Sequence, residues 1–214
     1  MLLYNATFNG NRVQGALNID YDESTDLGKS QGIESNGRTR YYNRMVQYLE
    51  SHPECNVVMW SWCSISSGQI ERYLDNFEAL INDPDYQDVT FVFMSGYADG
   101  YDNVRQKSEQ IVAFCKERGY FCLDYWNQDT HDYDNNTFDP TINANNNTRN
   151  GNWMRAFSRQ EGEVWFQCRH YRTGETKYPA HCDSQRDHLT GNIRAYAAWW
   201  LFSRIAGWDG TLTD

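Results

Sequence analysis

The sequence predicts an α/β fold, in which helices cover both faces of a mainly parallel sheet as a three-layer α/β/α sandwich. Short continuous apolar runs, which suit strands buried on both faces, alternate with segments whose apolar residues recur at helical spacing. Strands joined through a helix pair in parallel by right-handed crossovers, which gives the sandwich its layers. The 214 residues suit a single domain spanning 1–214, large enough to bury about 70% of the unfolded surface.

The first 60 residues are predicted to form two strands with a long loop and a helix between them. Leu2–Phe8 is predicted to be a strand, and the polar, glycine-bearing stretch that follows it to Asn36 is predicted to be a long loop. Arg38–Ser51 keeps helical spacing until Pro53, which ends the helix because proline lacks an amide hydrogen. The run Cys55–Trp60 then predicts a strand buried on both faces.

The middle of the chain repeats the alternation of helix and strand. Ser66 or Ser67 can cap a helix whose spacing continues to Asp83 and Pro84. The elements that follow are the strand Val89–Met94, the helix Asp102–Arg118 ended by Gly119, and the strand Tyr120–Tyr125. Ligands of such sheets bind beyond the carboxyl ends of the strands, so the segments after these strands are candidates for the functional site.

Residues 127–181 interrupt this rhythm and are predicted to be an irregular insertion. Loops rich in asparagine and aspartate are followed by Glu163–Cys168 and by the pair Thr173 and Gly174, which predict a hairpin. The segment is too long for an ordinary connection in a compact domain. We interpret it as one wall of the functional site.

The last helix is predicted to lie between Thr190, whose hydroxyl can accept an amide hydrogen, and Gly207, which can adopt a positive φ. His188 stands just ahead of this start, which predicts a histidine at the helix entrance on the rim of the sheet. One broad apolar face is expected to lie against the core. Its members are Ile193, Tyr196, Ala197, Trp200, Leu201 and Ile205.

The sequence His188-Leu-Thr, followed by a glycine, aromatics and small apolar residues, resembles the last block of the SGNH/GDSL hydrolases. This resemblance implies a flavodoxin-like sandwich with His188 as catalytic histidine. The family usually carries an aspartate three residues earlier, where this chain has Gln185, so the orienting acid falls to Asp183 or Asp187. The chain also resembles bacterial, often secreted SGNH-like proteins with a Trp-Ser-Trp-Cys strand end, which implies a secreted or periplasmic protein and leaves the cytoplasm open.

An acyl-transfer site needs a nucleophile on a turn, a base within hydrogen-bond reach and donors for the oxyanion. SGNH hydrolases place a serine after the first strand, and Thr7 occupies that position here. Ser61 and Cys63 follow the second strand and can pair with a histidine, although a cysteine there also suits the core. The predicted oxyanion donors are backbone amides near Asn9, Gly10 and Gly96.

Aromatic residues make up 15% of the chain, and at strand ends they can stack on sugar rings or fill the core. The candidate binding residues are Trp62, Tyr97, Trp126 and Trp153, with Asp99 placed to orient a histidine or bind a sugar hydroxyl. The leading interpretation is an SGNH-like esterase that acts on acylated carbohydrate or a similar small ester. The alternatives are a carbohydrate-binding protein without catalysis on the same fold, and a polysaccharide-active enzyme that uses His188 with acidic loop residues.

The net charge of -10 argues against a nucleic-acid partner, because no cluster of lysine and arginine offsets the repulsion of phosphates. No apolar run reaches the ~20 residues that span a bilayer, and no signal-type segment is expected in this chain. The expected ligand is a small molecule or a carbohydrate. The oligomeric state is left open.

Oxygen donors of the kind that calcium uses cluster where the insertion begins. They are Asp129, Asp132, Asp134, Asn136 and Asp139. Their spacing differs from that of the EF-hand loop and lacks its closing glutamate, so we interpret them as a solvated acidic loop and predict no cofactor or metal. The six cysteines lack zinc-type spacing, and Cys115 with Cys122, like Cys168 with Cys182, are either disulfides or free thiols.

Overall fold

The computed structural model describes residues 6–8, 11–13, 27–28, 30–60, 62, 64–98, 101–131 and 188–211, with the backbone only for 6–8, 11–13 and 188–195. Its elements are β1 Ala6–Phe8, β2 Asn11–Val13, α1 Arg40–Ser51, β3 Val57–Met59, α2 Ile70–Ile81, β4 Thr90–Met94, α3 Asp102–Arg118, β5 Phe121–Leu123, α4 Tyr125–Thr130 and α5 His188–Ile205. A short 3-10 helix, Pro84–Tyr86, lies between α2 and β4. The described part of the chain therefore has a mixed α/β fold.

Three parallel strands form a sheet in the order β3-β4-β5. Val58 pairs with Phe91, and Phe93 pairs with Cys122, so β4 has a hydrogen-bonded neighbour on each side. Helices α2 and α3 make the two crossover connections, as parallel neighbours require. The predicted alternation of helix and strand is confirmed for this part of the chain.

The first predicted strand does not pair in parallel, the arrangement expected for a strand of a mainly parallel sheet. β1 and β2 form an antiparallel pair in which Thr7 lies opposite Arg12. Ala6 and Phe8 pair with Val13 and Asn11 in the same register. In the described residues, β1 therefore belongs to an antiparallel pair and is not a neighbour of β3, β4 or β5.

The predicted ends of the helices α1, α2 and α3 can be compared with the observed ones. Helix α1 begins after Thr39, whose hydroxyl accepts a hydrogen bond from the Tyr42 amide at 3.3 Å. The bounds predicted for α3 are confirmed, and Gly119 ends it with φ of 72°. The predicted serine cap of α2 is wrong, because Gln69 precedes that helix and Ser66 instead lies in a turn, with its hydroxyl 2.8 Å from that of Ser64.

Side chains of β4 alternate between two hydrophobic clusters on opposite faces of the sheet. Phe91 and Phe93 belong to the first cluster, where Phe77 of α2 lies with its ring centroid 4.2 Å from that of Trp60 and 4.8 Å from that of Phe93. The second cluster comprises Val92, Met94, Leu123 and Leu201. Helices α2 and α3 thus pack on one face of the sheet and α5 on the other.

Helix α5 packs through small residues and a leucine, which corrects the predicted apolar face. Ala198 and Leu201 are buried, whereas Tyr196 and Trp200, which were predicted to face the core, are 65% and 55% exposed. The helix carries apolar residues of its own on all sides, so their spacing did not determine which side meets the sheet. Ala197 and Ile205, which were predicted to face the core, do pack against the second cluster beside Leu201.

The start of α5 also differs from the prediction. The helix begins at His188, so Thr190 lies in its first turn and does not cap it. Gly207 follows the helix with φ of 97°, as predicted for its end.

Among the helices of the described residues, none is long and apolar enough to cross a membrane.

Titratable side chains in or against the first cluster, including Tyr41, Tyr73 and Cys122, have raised pKa values and predict a loss of stability at alkaline pH. The Tyr73 hydroxyl accepts a hydrogen bond from the Met94 amide at 2.8 Å, and burial raises the pKa of Tyr73 well above its ordinary value. A hydrogen bond to Cys115 and burial raise the pKa of Cys122. The unfolded chain loses these protons near its ordinary pKa values, about 8.5 for cysteine and 10 for tyrosine, while the folded chain keeps them. The free energy of unfolding is therefore expected to fall above about pH 9, by up to about 1.4 kcal/mol per pH unit for each group.

Urea unfolding at about pH 7, 9 and 10.5 measures this slope. Tyr73→Phe removes one of these groups and is expected to make the decline shallower, whereas Tyr101→Phe changes an exposed ring and is the control. A free energy of unfolding that stays constant from about pH 8 to 11 would contradict the explanation.

Candidate functional site

The carboxyl ends of β3, β4 and β5 lie side by side because the strands are parallel. We call the described segments that follow these ends the rim, which comprises Trp60, Trp62, 64–68, 95–98 and 124–131. In open parallel α/β sheets, ligands bind in the crevice outside this edge. The rim is therefore the candidate functional site.

Ser95 and Asp124 join the ends of β4 and β5. The Ser95 hydroxyl donates to Asp124 Oδ1 at 2.8 Å and accepts a hydrogen bond from the Trp126 amide at 3.1 Å. Asp124 also caps α4, since the Asn127 amide donates to the same carboxylate oxygen at 3.2 Å. Because Ser95 is buried and its hydroxyl both donates and accepts, we assign it to positioning α4 and not to nucleophilic attack.

Asp129 ties the loop after β4 to the same helix. Its Oδ2 accepts a hydrogen bond from the Ala98 amide at 3.1 Å, and the residue is buried. This carboxylate belonged to the predicted acidic cluster, whose other members lie outside the described residues. Within the described ranges, no group of three or more histidine, cysteine, aspartate or glutamate residues is placed to hold a metal ion.

His131 ends α4 on the rim with one ring nitrogen held in place. Its Nδ1 lies 3.0 Å from the Thr130 hydroxyl and 3.2 Å from the Asn127 carbonyl. The Thr130 hydroxyl donates its own proton to the Trp126 carbonyl at 2.7 Å, so both neighbours of Nδ1 act as acceptors. In the neutral ring Nδ1 therefore carries the proton, which makes Nε2 the basic nitrogen. The sequence interpretation gave His131 no role, although its position shortly after a buried strand was a usable signal.

Gly96 makes room for the loop that follows β3. A β-carbon on Gly96 would lie 2.3 Å from Cγ2 of Ile65, which is fully buried. The same loop is held to α3, because Lys107 Nζ and Asn103 Nδ2 donate to the Ser66 carbonyl at 2.6 and 2.7 Å. Close packing thus accounts for the glycine, and its role as an oxyanion donor stays a prediction.

The aromatic residues of the rim divide into core and surface. Trp62 and Trp126 are 5% and 8% exposed, so their rings belong to the core, and the predicted sugar-stacking role is corrected for these two residues. Tyr97 is half-buried. Tyr101, which directly precedes α3 near the same edge of the sheet, is 62% exposed and was not singled out from the sequence. Its exposed ring is the better stacking surface.

Many predicted site residues fall outside the described side chains. The residues concerned are Asn9, Gly10, Ser61, Cys63, Asp99, Trp153, Asp183 and Asp187. Most of the predicted insertion, 132–181, also lies outside the described residues. The backbone places Thr7 in the middle of β1 and His188 at the first position of α5. Helix α5 contacts β5 and α4, and through α4 it meets the rim.

Comparison of the chain with protein-family models, curated proteins and solved structures finds no match. A function for the rim is therefore inferred from the described geometry together with the sequence. The features that it must explain are the fixed position of α4, the oriented imidazole of His131 and the contact of α5 with β5 and α4.

Proposed function

We propose that the protein is an SGNH-like ester hydrolase that acts at the rim on acylated carbohydrate or a similar small ester. The main observation in support is that hydrogen bonds join α4 to the segments that follow β4 and β5. Helix α5, which begins at His188, contacts both β5 and α4. Helices on both faces of the parallel sheet support a flavodoxin-like three-layer sandwich as the scaffold. In such a scaffold the chemistry belongs at the carboxyl ends of the strands.

In the proposed reaction, a nucleophile attacks the ester carbonyl while His188 removes the proton of that nucleophile as general base. His188 then protonates the leaving alcohol, and water attacks the acyl-enzyme to release the acid. The candidate nucleophiles are Thr7, Ser61 and Cys63, the candidate orienting acids are Asp183 and Asp187, and the candidate oxyanion donors are amides near Asn9, Gly10 and Gly96.

The buried hydrogen bonds of the rim support this reaction by holding its walls in place. The Ser95 to Asp124 and Ala98 to Asp129 bonds fix the loop after β4 relative to α4. Donors and bases that are positioned beforehand need no reorganisation during the reaction, which is how a static site lowers a barrier. We therefore assign Asp124 and Asp129 as positioning residues.

The His188→Ala variant is expected to lower kcat/KM for a short acyl ester by about 100-fold or more, because a general base typically contributes at least that factor. The measurement is the initial rate of p-nitrophenyl acetate hydrolysis, with folding checked by circular dichroism. The matched control is His52→Ala, since His52 lies at the end of α1 with its ring stacked 4.1 Å from that of Tyr48. This control is expected to keep the wild-type rate.

The His131→Ala variant tests which histidine is the general base. This question is separate from whether the protein hydrolyses esters. If His131→Ala loses turnover and His188→Ala keeps it, the base is His131 and the ester hydrolase stands with a different histidine. If both variants fold and hydrolyse the ester at the wild-type rate, the histidine mechanism is wrong.

A second candidate function, carbohydrate binding without catalysis, is favoured by the exposed ring of Tyr101 near the rim. If the wild-type protein lacks turnover, Tyr101→Ala is expected to weaken binding of an acetylated oligosaccharide about 5- to 10-fold, the contribution of one stacked ring. Isothermal titration measures the Kd. Phe121→Ala is the control, because Phe121 is exposed at the amino end of β5, opposite the rim. Equal Kd values for wild type and Tyr101→Ala would exclude Tyr101 as the binding surface.

A further inference from the structure

A polar cavity of about 340 Å³ lies beside the first two turns of α1, outside the rim. Arg40, Asn43, Arg44 and Gln47 of α1 line one side of it, and Glu34 of the preceding loop lines the other. The four helix residues are three and four positions apart, so they share one face of α1. The volume is within the range of small-molecule sites, about 300–1,000 Å³. Because all five lining residues are polar, the cavity suits a hydrophilic ligand.

Hydrogen bonds join the loop wall of the cavity to its helix wall. Asn43 Nδ2 donates to Glu34 Oε2, and Asn36 Nδ2 donates to Asn43 Oδ1 at 2.8 Å. The loop itself is closed by the Glu34 amide, which donates to the Arg38 carbonyl at 2.8 Å. The amide of Asn43 is therefore oriented by the protein, and the two walls are connected to each other through it.

The charge of the lining determines which ligands it favours. Two arginines and one glutamate give the lining a net charge of +1, in a chain whose net charge is -10. Arg40 and Arg44 are four residues apart on the helix, a spacing at which like charges repel each other. Glu34 offsets this repulsion only weakly, since its Oε1 lies 3.7 Å from Arg40 Nε and both side chains are about half exposed. One negative charge between the two guanidinium groups neutralises the lining and removes the repulsion.

We propose that this cavity binds a hydroxylated monocarboxylate of the sugar-acid class. The ligand carboxylate lies between Arg40 and Arg44, because a planar guanidinium group pairs with a carboxylate through two parallel hydrogen bonds. The ligand hydroxyls donate to the Glu34 carboxylate and exchange hydrogen bonds with the Gln47 amide. A neutral sugar lacks the group that the arginines bind. Inorganic phosphate carries up to two negative charges, which Glu34 repels.

Isothermal titration of the full chain with three probes tests the proposal. D-glucuronate and D-glucose share the ring and most hydroxyls and differ in the carboxylate, and inorganic phosphate supplies charge without the sugar. The protein is expected to bind glucuronate at least about 10-fold more tightly than glucose, the effect of a hydrogen-bonded charge pair, and more tightly than phosphate. The proposal is overturned if glucuronate does not bind, if glucose binds equally well, or if phosphate binds more tightly.

Two arginine variants locate the bound ligand. Arg44→Gln is expected to raise the Kd for glucuronate about 10-fold. Arg118→Gln is the matched control, because Arg118 is paired with Glu78 at 3.1 Å and does not line the cavity, and it is expected to keep the wild-type Kd. An unchanged Kd in folded Arg44→Gln overturns the assignment to this cavity. If that variant fails to fold, Arg40→Gln, which alters a side chain that is 53% exposed, gives the same comparison. Binding is measured without turnover, so the result is independent of the proposed ester hydrolysis.

Discussion

Phe77→Ala is expected to lower the free energy of unfolding by about 3–5 kcal/mol, the usual cost of removing a fully buried phenylalanine. The ring lies in the first cluster, with its centroid 4.2 Å from that of Trp60, 4.8 Å from that of Phe93 and 5.0 Å from that of Tyr73. Removing it leaves a cavity that these rigid neighbours cannot fill. Favourable edge-to-face contacts are lost in addition.

Urea unfolding at neutral pH measures this loss. Phe121→Ala is the matched control, because its ring is partly exposed on β5 and its removal is expected to cost less than about 1.5 kcal/mol. Equal losses for the two variants would show that Phe77 does not hold the first cluster together.

Leu201→Ala is expected to cost about 2–5 kcal/mol, because the side chain is buried against β4 and β5 in the second cluster. Val92, Met94 and Leu123 are its partners there. Loss of this anchor also loosens the helix that begins at His188, and a base displaced by about 1 Å can cost 100-fold in rate. We therefore expect Leu201→Ala to lose ester turnover together with stability.

The neighbouring residue provides the control for Leu201. Trp200 is more than half exposed, so Trp200→Ala is expected to change the free energy of unfolding by about 0.5 kcal/mol or less and to keep turnover. Unfolding curves and initial rates for the two variants give the comparison. If Trp200→Ala is the more damaging change, the face of α5 that meets the sheet has been assigned wrongly.

The sequence predicted those parts of the fold that local signals determine. The continuous apolar run of β4 predicted a strand that is buried on both faces, and its side chains do enter both clusters. The bounds of α3 followed from its helical spacing and from Gly119, whose positive φ ends it. Each of these features depends on residues within a few positions, so one sequence is enough to find them.

The parts that depend on tertiary contacts were predicted less well. The strand predicted to run to Tyr125 ends at Leu123, because Asp124 caps a helix through the Asn127 amide. An aspartate three residues before a hydrogen-bonded amide is a common cap, but the apolar run before it concealed that signal. The burial of Ala198 and Leu201 on α5, with Tyr196 and Trp200 exposed, depends on tertiary packing that spacing alone does not reveal.

The site itself was only partly predictable. The rule that ligands bind at the carboxyl ends of parallel strands pointed to the rim, and the position of the functional site there stays a prediction. It did not show that Trp62 is packed into the core, that Ser95 is engaged by Asp124, or that the His131 ring is oriented by the end of α4. Burial and the direction of a hydrogen bond depend on neighbours that are distant in the chain, so these features required coordinates.

Covalent labelling with a fluorophosphonate probe tests the proposed hydrolase most directly, because such probes react with nucleophiles that a neighbouring base has activated. We predict one adduct, located by mass spectrometry on Thr7 or Ser61, and a large decrease in labelling for a folded His188→Ala variant. Absence of any adduct on the folded wild-type protein, or equal labelling of the two proteins, would contradict an acyl-transfer site in which a hydroxyl nucleophile relies on His188.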